Sequence, residues 1–449
     1  MANDAQDVVD AAEASVHGIA VEDPTTLDLS DPNFMATAYE TYASLREQGA
    51  VVPVRFPVRE GGDAGAQDRM RGRDSFFVAH YDEVVAALLD DRFSVDVEHN
   101  ITPEQREKMG ETPEEFRPLL RSLLTIDPPD HTRVRKLVQP SFTGRTMEAM
   151  RGSIQRTIDE LLDEAERAAA ERGETAPNRR MELVADLAYP FPVTVISDLL
   201  GIPREDRAQI KGWTENLLRV DRGRGSELEE EVRAGFRDFV DYLKDLFERK
   251  RREPGDDMIT RMAHAAEDGD VLSDEEMLAT VLLMYLAGHV TTVNLVGNGV
   301  VALLTHPEEL AEFTANPGTA KNVVEETLRY WGPVDFIGRR IATEPMAMAG
   351  VSIGKGDEVT VGLGAANRDP QKFANPEAFD ISRPDANRHI AFGKGIHVCL
   401  GAPLARIEGQ IAFETLFRRY PDLRLAVPAE ELRWSRNFLR GFGQIPLLF

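Results

Sequence analysis

A single cysteine sets the first limit on how this chain can fold. Cys399 is the only cysteine among 449 residues, so no disulfide within the chain can stabilise the fold. A lone cysteine is usually a small buried hydrophobe, but this one lies in a glycine-rich loop, Phe392–Ala402, that leads into an apolar, helix-like run. The glycines allow a close approach to a flat partner, and the N–H groups at a helix start stabilise a thiolate. The loop therefore predicts a sulfur anion presented to a metal.

The spacing within this loop resembles the haem-ligand signature of the cytochrome P450 family. The matching positions are Phe392, Gly395, His397, Cys399 and Gly401. The resemblance implies that the cofactor is haem b and that Cys399 is its axial thiolate, a ligand that favours O–O cleavage. It also implies haem contacts from Phe392, Gly393 and Gly401. A dinucleotide-binding loop is the competing interpretation, but its third glycine is missing because Val398 stands in that place.

The composition is that of an ordinary globular protein, with 42% hydrophobic and 29% charged residues, which is enough for a large buried core. We expect a flexible tail at residues 1–25 and a single haem domain at 26–449. The net charge of −25 disfavours nucleic acid and anionic membranes as partners. No apolar run approaches the roughly 20 residues that cross a bilayer, and the N-terminus lacks the features of a signal peptide. We therefore expect a cytoplasmic protein, and we expect it to be a monomer.

Helical patterns dominate the chain. Helices are predicted at 33–48, 81–90, 128–139, 147–172, 182–200, 204–219, 226–252, 274–304, 320–331 and 400–419. Short strands are predicted at 51–58 and 75–79 and between residues 333 and 363. Many long helices with a few short strands are typical of the cytochrome P450 fold. The resemblance thus implies a mainly α fold with minor β structure, with the haem between the long central helix and the cysteine-ligand loop.

Glu326 and Arg329 are three residues apart and share one face of a predicted helix. An ordinary surface pair of this kind stabilises a helix by less than about 1 kcal/mol. Glu-x-x-Arg is, however, a second motif of the resembled family, which completes it with a downstream arginine that corresponds to Arg383. The resemblance implies that Glu326, Arg329 and Arg383 form a buried structural triad that holds the loop positioning Cys399.

Two buried haem propionates need fixed cations or hydrogen-bond donors. His131 and Arg135 lie four residues apart on one face of a predicted helix, and Arg340 and His389 fall where the resembled family has further propionate donors. Taken singly, each would be an ordinary surface charge or a core histidine. In register with Cys399, the four residues are predicted to clamp the cofactor.

The predicted helix at 274–304 has Leu286–Thr292 at its centre. A glycine and consecutive threonines weaken a helix interior, so we expect a local opening of its hydrogen-bond ladder with room for oxygen and water. By resemblance, Ala287, Gly288 and Thr291 are the catalytic residues of this helix. Val290 stands where the family usually has an acid that relays protons.

Three interpretations of Val290 stay open. Protons arrive through Thr291 and ordered water, with or without a substrate hydroxyl; or His289 assists; or the reaction is an oxidative coupling or another unusual outcome. We favour the first interpretation, because residue 289 of a helix points in a different direction from residue 291.

The resemblance also implies which residues contact the substrate. These are Leu283, Val290, Val334, Phe336 and Phe442. Such a lining is largely apolar, with Asp335 as a polar anchor, and it indicates a medium-sized, largely hydrophobic organic molecule.

The resemblance predicts a bacterial-type haem-thiolate monooxygenase that inserts one oxygen atom of O₂ into its substrate by hydroxylation or epoxidation. Secondary metabolism and xenobiotic oxidation are the settings we expect. The chain is too short to add a flavin reductase domain to a haem domain, so electrons are expected from ferredoxin and ferredoxin reductase. Lys136, Lys394 and Arg406 flank the cysteine motif and predict a basic docking patch. A non-catalytic haem-binding sensor or carrier is the alternative from a different class.

Overall fold

The structure is a computed structural model of the chain. It describes residues 24–29, 31, 33–57, 74–100, 112, 114–217, 226–267, 270–435 and 439–449. The predicted flexible tail therefore lies outside the described residues, apart from residues 24 and 25.

Helices make up most of the regular structure among the described residues. In chain order they are α1 (Phe34–Gln48), α2 (Tyr81–Leu89), α3 (Val97–Asn100), α4 (Asp130–Val138), α5 (Gly144–Ala149), α6 (Arg151–Glu171), α7 (Pro190–Leu200), α8 (Arg207–Leu217), α9 (Ser226–Arg252), α10 (Met258–Ala263), α11 (Asp274–Thr305), α12 (Pro307–Ala315), α13 (Ala320–Trp331), α14 (Leu363–Asn367) and α15 (Ala402–Arg419). The prediction of a mainly α fold with minor β structure is confirmed.

The strands are short and lie at the margin of the helical body. They are β1 (Thr25–Thr26), β2 (Val51–Arg55), β3 (Asp74–Val78), β4 (Phe93–Ser94), β5 (Arg180–Glu182), β6 (Ala266–Glu267), β7 (Asp270–Val271), β8 (Ile337–Ala342), β9 (Met346–Met348), β10 (Val351–Ile353), β11 (Glu358–Val361), β12 (Arg424–Leu425) and β13 (Pro446–Leu448). A six-stranded sheet has the order β1-β2-β3-β11-β8-β4, and β12, β13 and β5 form a second sheet. The larger sheet places β8 beside the site described below.

Helix α11 is the central element of the core. It begins with a capping box, in which the Ser273 side chain accepts a hydrogen bond from the Glu276 N–H and the Glu276 carboxylate accepts one from the Ser273 N–H. By length and composition α11 could cross a membrane, but 72% of its most apolar window is buried inside the protein. The sequence analysis expected no apolar run long enough to cross a bilayer, so α11 is an exception to that expectation. The apolar residues of α11 are those of a helix buried in the core.

Two predicted helices have different boundaries in the structure. The predicted helix at 182–200 starts as strand β5, since that segment pairs with β13 at the C-terminal end of the chain. A π-helical turn at Val184–Ala188 then leads into α7. The predicted helix at 147–172 is divided between α5 and α6.

Sequence reasoning missed α10 and α12, although both carry local start signals. Asp257 caps α10 by accepting a hydrogen bond from the Thr260 N–H at 2.9 Å, and Pro307 occupies the first turn of α12. Both helices are short, with 6 and 9 residues, which is why they give little periodic signal.

Candidate active site

A cavity of about 510 Å³ lies between α11 and the cysteine loop. Helix α11 contributes Leu283, Ala287, Gly288, Thr291 and Thr292. The loop and the start of α15 contribute Phe392, Gly393, Cys399 and Gly401, while Arg135 and Arg340 reach it from α4 and β8. The structure thus brings together, around one cavity, most of the residues predicted to bind haem and to carry out catalysis.

The cysteine loop depends on its glycines. Gly393 and Gly395 have φ angles of 69° and 78°, which side chains rarely allow. A Cβ atom at Gly395 would also lie 2.7 Å from the Leu88 carbonyl oxygen. The Cys399 N–H donates a hydrogen bond to the Phe392 carbonyl at 2.9 Å. These constraints hold Cys399, which is exposed to the cavity, just before the first turn of α15.

Opposing influences act on the Cys399 thiol. Burial raises its pKa, while the N–H groups of Gly401 and Ala402 and the charges of Arg135 and Arg406 lower it. Because the effect of burial is the larger one, the pKa of Cys399 stays above its usual value. These groups alone therefore do not keep the sulfur ionised. A metal cation at the sulfur would add the missing positive charge. The sulfur environment therefore fits a metal-bound cysteine.

Two arginines bring positive charge to the same cavity. Arg340 is buried, its Nε atom has no hydrogen-bond partner among the described residues, and burial lowers the pKa of its guanidinium. Arg135 is half-buried and donates to the Val398 carbonyl at 2.8 Å. A buried cation without a carboxylate partner is costly unless an anion joins it. The pair fits the two propionate groups of haem b.

A pair of histidines lies close to these arginines. The rings of His131 and His397 have centroids 4.3 Å apart. His131 is buried, and neither of its ring nitrogens has a partner among the described residues. His397 lines the cavity, and its Nδ1 lies 3.1 Å from the Leu123 carbonyl oxygen. Burial and the charges of His131 and Arg340 lower the pKa of His397 to about 4. Donors placed in this way suit an anionic ligand.

The structure does not support the predicted role of His389. Its Nδ1 accepts a hydrogen bond from the Ala391 N–H, its Nε2 lies 3.1 Å from the Glu325 carboxylate, and it is not among the cavity-lining residues. With both nitrogens occupied, His389 cannot bind a propionate. His397 lines the cavity instead, and the sequence held the signal, because His397 belongs to the cysteine motif itself.

The predicted triad residues are brought together. Arg329 Nη2 and Nε bind the two carboxylate oxygens of Glu326 at 2.7 and 2.8 Å, and Arg383 Nε lies 3.3 Å from the same carboxylate. All three side chains are buried. Arg329 also donates to the carbonyls of Pro376 and Ala378. The cluster ties α13 to the segment that approaches the cysteine loop.

Arg406 is engaged in a second, partly buried cluster. It binds Glu325 through Nε and Nη2 at 2.6 and 3.0 Å, and its guanidinium lies 4.6 Å from the centre of the Phe392 ring. Burial alone would raise the pKa of Glu325, but hydrogen bonds with His389 and Arg406 lower it to about 2. Arg406 therefore links α13 to α15, and its charge is already paired.

Helix α11 is continuous at its glycine-threonine centre. The Thr291 hydroxyl donates to the Ala287 carbonyl at 2.9 Å, and no break divides the helix between Asp274 and Thr305. The expected opening of the hydrogen-bond ladder is therefore wrong, because the threonine hydroxyls bond back onto the helix instead of replacing its backbone bonds. His289 faces away from the cavity, fully buried, with Nδ1 2.5 Å from the Tyr285 carbonyl oxygen.

The predicted substrate contacts divide into two groups. Leu283, Val334 and Phe336 line the cavity. Val290 and Phe442 are not among the lining residues, and Phe442 instead stacks on Trp434 with ring centroids 4.0 Å apart. Both predictions are corrected, because Val290 is buried outside this lining and Phe442 is half-buried against Trp434.

Asp335 is not a polar anchor for substrate. Its carboxylate is buried and paired with Arg440, whose Nη2 lies 2.7 Å away. The Tyr42 hydroxyl donates to the same carboxylate at 3.3 Å. A carboxylate satisfied in this way joins α1 to the C-terminal segment and has no role in the cavity.

Comparison with known proteins agrees with this geometry. A family model described as Cytochrome P450 matches residues 74–316 and 319–431. The polyketide biosynthesis cytochrome P450 PksS of Bacillus subtilis (strain 168) is 41% identical over 374 residues, which is 83% of this chain and 88% of that protein. The 6-deoxyerythronolide B hydroxylase of Saccharopolyspora erythraea is 38% identical over 429 residues, 94% of this chain and 98% of that protein.

A solved structure shows the same fold. The myxobacterial cytochrome P450 CYP267B1, in complex with myristic acid, has a TM-score of 0.80 and 37% sequence identity, and the match covers 94% of this chain and 98% of that chain. The chain described here belongs to the cytochrome P450 family. It is a haem-thiolate monooxygenase of bacterial type, its cofactor is haem b, and it uses O₂, an organic substrate and redox partners.

Proposed function

We propose that this enzyme hydroxylates or epoxidises a medium-sized, largely hydrophobic molecule in bacterial secondary metabolism, and that the Cys399 sulfur would bind the haem iron. The observation that carries the proposal is the position of Cys399, the only thiol in the chain, which faces the same cavity as Thr291 of α11. When bound, haem b supplies the activation of O₂ and the transfer of one oxygen atom.

The chain's own residues then have separate tasks. His131, Arg135, Arg340 and His397 would hold the propionates by charge-assisted hydrogen bonds, each worth about 1.5–3 kcal/mol. The buried ring nitrogens of His131 have no partner among the described residues, and its ring lies 4.3 Å from that of His397. The Thr291 hydroxyl faces the cavity from α11, where it would orient O₂ and pass on protons. The apolar lining excludes water and positions the substrate.

Two relatives support the substrate class. One is named for polyketide biosynthesis and the other as a 6-deoxyerythronolide B hydroxylase. The part of the cavity formed by Leu283, Val334 and Phe336 is apolar, so most of its contacts with a ligand depend on shape and hydrophobic burial. A polyketide-derived or acyl-chain substrate suits such a lining. The same apolar lining would also suit the oxidation of xenobiotic compounds.

Electrons come, in this proposal, from a ferredoxin and its reductase. Lys136 and Lys394 are exposed, and Ile396 and Val398 expose 45% and 38% of their surfaces beside Cys399. A basic rim around apolar residues suits an acidic electron carrier. Arg406 no longer belongs to this patch, because Glu325 pairs it. We further propose that residues 26–449 act as one haem domain in a cytoplasmic monomer.

Spectroscopy and product analysis test the proposal. The purified ferrous protein with CO should show the red-shifted Soret band of thiolate-ligated haem, and Cys399→Ser should lose it while Ile396→Ala in the same loop keeps it. Of 6-deoxyerythronolide B and myristic acid, at least one should shift the haem to high spin and yield a product that carries one ¹⁸O atom from ¹⁸O₂. An imidazole-type spectrum, or the thiolate band in Cys399→Ser, would overturn the ligand assignment.

A further inference from the structure

The Asp127 carboxylate connects two segments that line the cavity. One segment is Val95–Val97, and all three of its residues are lining residues; we call this segment the 95–97 wall. The other is Leu123–Thr125, which also lines the cavity and leads to Asp127 shortly before α4. None of the roles given above uses the Asp127 carboxylate, and its contacts indicate what it does.

Three consecutive residues donate hydrogen bonds to this carboxylate. The Ser94 hydroxyl donates to Oδ2 of Asp127. The N–H groups of Val95 and Asp96 donate to Oδ1 at 3.2 Å and to Oδ2 at 3.4 Å. Hydrogen bonds to an ionised acceptor are stronger than those between neutral groups. Asp127 therefore fixes the backbone at the point where the chain enters the 95–97 wall.

The other contacts of Ser94 fix the direction of its hydroxyl hydrogen. Its Oγ atom accepts hydrogen bonds from the Asp96 N–H at 3.0 Å and from Asn100 Nδ2 at 2.8 Å. A hydroxyl has two acceptor positions and a single hydrogen. Because both acceptor positions are filled, the hydrogen is left for Asp127. Ser94 is itself buried, so little water competes for this bond.

The short helix α3 is held by the same group of bonds. Asn100 Nδ2 donates to the Asp96 carbonyl oxygen at 2.9 Å as well as to Ser94 Oγ. The His99 N–H donates to the Asp96 carboxylate at 3.2 Å. Helix α3 begins at Val97, the last residue of the 95–97 wall. The bonds to Asp127 thus also position the apolar side chain of Val97.

Asp127 lies close to the groups predicted to bind the propionates as well. Burial lowers the pKa of Arg340, His131 and His397, and the negative charge of Asp127 acts in the opposite direction on all three. One carboxylate therefore connects the cofactor end of the cavity with the 95–97 wall.

We propose that Asp127 is a positioning residue for substrate selectivity, which acts by holding the 95–97 wall against the bound molecule. The side chains of Val95 and Val97 are apolar, and each CH₂ group that a ligand buries against such a surface strengthens binding roughly fourfold. A wall that is free to move away would lose this contact. The inference rests on the proposed function, because it concerns the site that binds the substrate.

Asp127→Asn removes part of this set of acceptors. It replaces one carboxylate oxygen by an NH₂ group, which donates and does not accept. The Ser94 hydroxyl and the N–H groups of Val95 and Asp96 are all donors, so a single oxygen would have to serve three of them. Ser94→Ala removes only the hydroxyl bond and is the milder second variant. Asp130→Asn, at an exposed residue in the first turn of α4, makes the same chemical change outside this set of bonds and is the control.

Binding of 1-alkylimidazoles to the haem-loaded enzyme tests the wall and requires no substrate. The ring nitrogen would bind the iron and the alkyl chain would extend into the cavity, so spectral titrations from 1-methyl to 1-decyl give the affinity against chain length. In the parent and in Asp130→Asn, affinity should rise strongly along the series. In Asp127→Asn, and less in Ser94→Ala, the methyl compound should bind as in the parent while the rise with chain length becomes smaller. The inference is overturned if both variants keep the parental dependence on chain length, or if they weaken short and long compounds equally.

Turnover measures the effect on selectivity. With whichever of 6-deoxyerythronolide B and myristic acid gives product, Asp127→Asn should raise KM several-fold, change kcat less, and spread oxidation over more positions of the product. Combining Ser94→Ala with Asp127→Asn should add little, since both changes remove the same bond. An unchanged KM and product pattern in Asp127→Asn, with its haem spectrum intact, would reject the positioning role. If neither compound gives product, the proposed substrate class fails, and the alkylimidazole series decides this inference alone.

Discussion

Two buried glutamates show how the neighbours of a side chain set its charge. Glu326 is held by Arg329 and Arg383 and accepts a further hydrogen bond from the Asp380 N–H. Glu408 is buried to a similar extent, but it forms no ion pair with any residue that the structure describes, and burial raises its pKa to about 8. A paired buried carboxylate fixes local geometry, whereas an unpaired one keeps its proton and costs stability when ionised. The same residue type is therefore ionised and paired at one place and protonated at another.

The cost of burying Glu408 predicts a pH-dependent gain in stability when it is replaced. The pKa of Glu408 is about 8 in the folded protein and ~4.3 when unfolded. Between these values the folded state binds a proton that the unfolded state has lost, so parent stability falls as pH rises through this window. Glu408→Gln should be more stable than the parent by a margin that grows from pH 5 to pH 8, reaching a few kcal/mol at about 1.4 kcal/mol per pKa unit.

Thermal unfolding of the haem-loaded proteins at pH 5, 7 and 9 measures this margin. Glu414→Gln, on the same helix, should show a small difference with little pH dependence. A Glu408→Gln margin that stays constant with pH would contradict a protonated carboxyl at this position.

At the scale of elements, the site depends on how closely α11 and α15 approach each other. Gly299 of α11 permits this contact, because a Cβ atom there would lie 2.2 Å from Cζ of Phe413. Gly409 of α15 faces both α13 and α11, with Val324 Cγ2 at 2.9 Å and Leu295 Cδ2 at 3.3 Å from the position of its missing Cβ. Phe413 is fully buried and has little freedom to move. Helix α11 carries Thr291 and Thr292, and α15 follows Cys399 and carries Glu408, so this packing sets the distance across the cavity.

Gly299→Ala should therefore destabilise the protein by about 1–3 kcal/mol through overpacking. The matched control is Gly212→Ala in α8, where a Cβ atom has no neighbour within 4 Å. There the better helix propensity of alanine should raise stability by up to ~1 kcal/mol. Chemical denaturation of both variants makes the comparison, and equal stability changes would show that the α11–α15 contact is less restrictive than the distances indicate.

At the scale of the whole molecule, the overall negative charge and a few exposed lysines act on a partner protein in opposite ways. The net charge is −25, yet Lys136 and Lys394 are exposed. Lys394 lines the cavity that contains Cys399, and Lys136 follows Arg135, which also lines it. In the proposed docking, an acidic electron carrier would be repelled by most of the surface and attracted by these lysines, which would orient its encounter with the enzyme.

Charge reversal tests this orientation. Lys136→Glu with Lys394→Glu should slow reduction by a [2Fe–2S] ferredoxin several-fold at low salt and weaken the salt dependence of that rate. Lys355→Glu, an exposed lysine in the turn between β10 and β11, makes the same type of charge change elsewhere and should have little effect. Equal slowing by both changes would indicate a general charge effect and no docking site.

The sequence by itself determined the features that contiguous residues encode. The cysteine loop, the Glu326–Arg329 spacing and the long helix with Thr291 are local patterns, so glycine conformations and helical periodicity place them without knowledge of the rest of the chain. The structure brings Cys399, Arg135, Arg340 and Thr291 to one cavity, as the family resemblance implied. The mainly α fold follows for the same reason.

Only the tertiary structure decided which side chains face the cavity and which are paired elsewhere. The Nε2 atom of His389 contacts the carboxylate of Glu325 on α13, and the charge of Asp335 is paired with that of Arg440, 105 residues away. Glu408 gave no signal as one acid within a helix, because its burial and its contact with Thr292 come from packing against α11. Burial and pairing are properties of distant segments brought together, and they set the charge of a side chain and therefore its role.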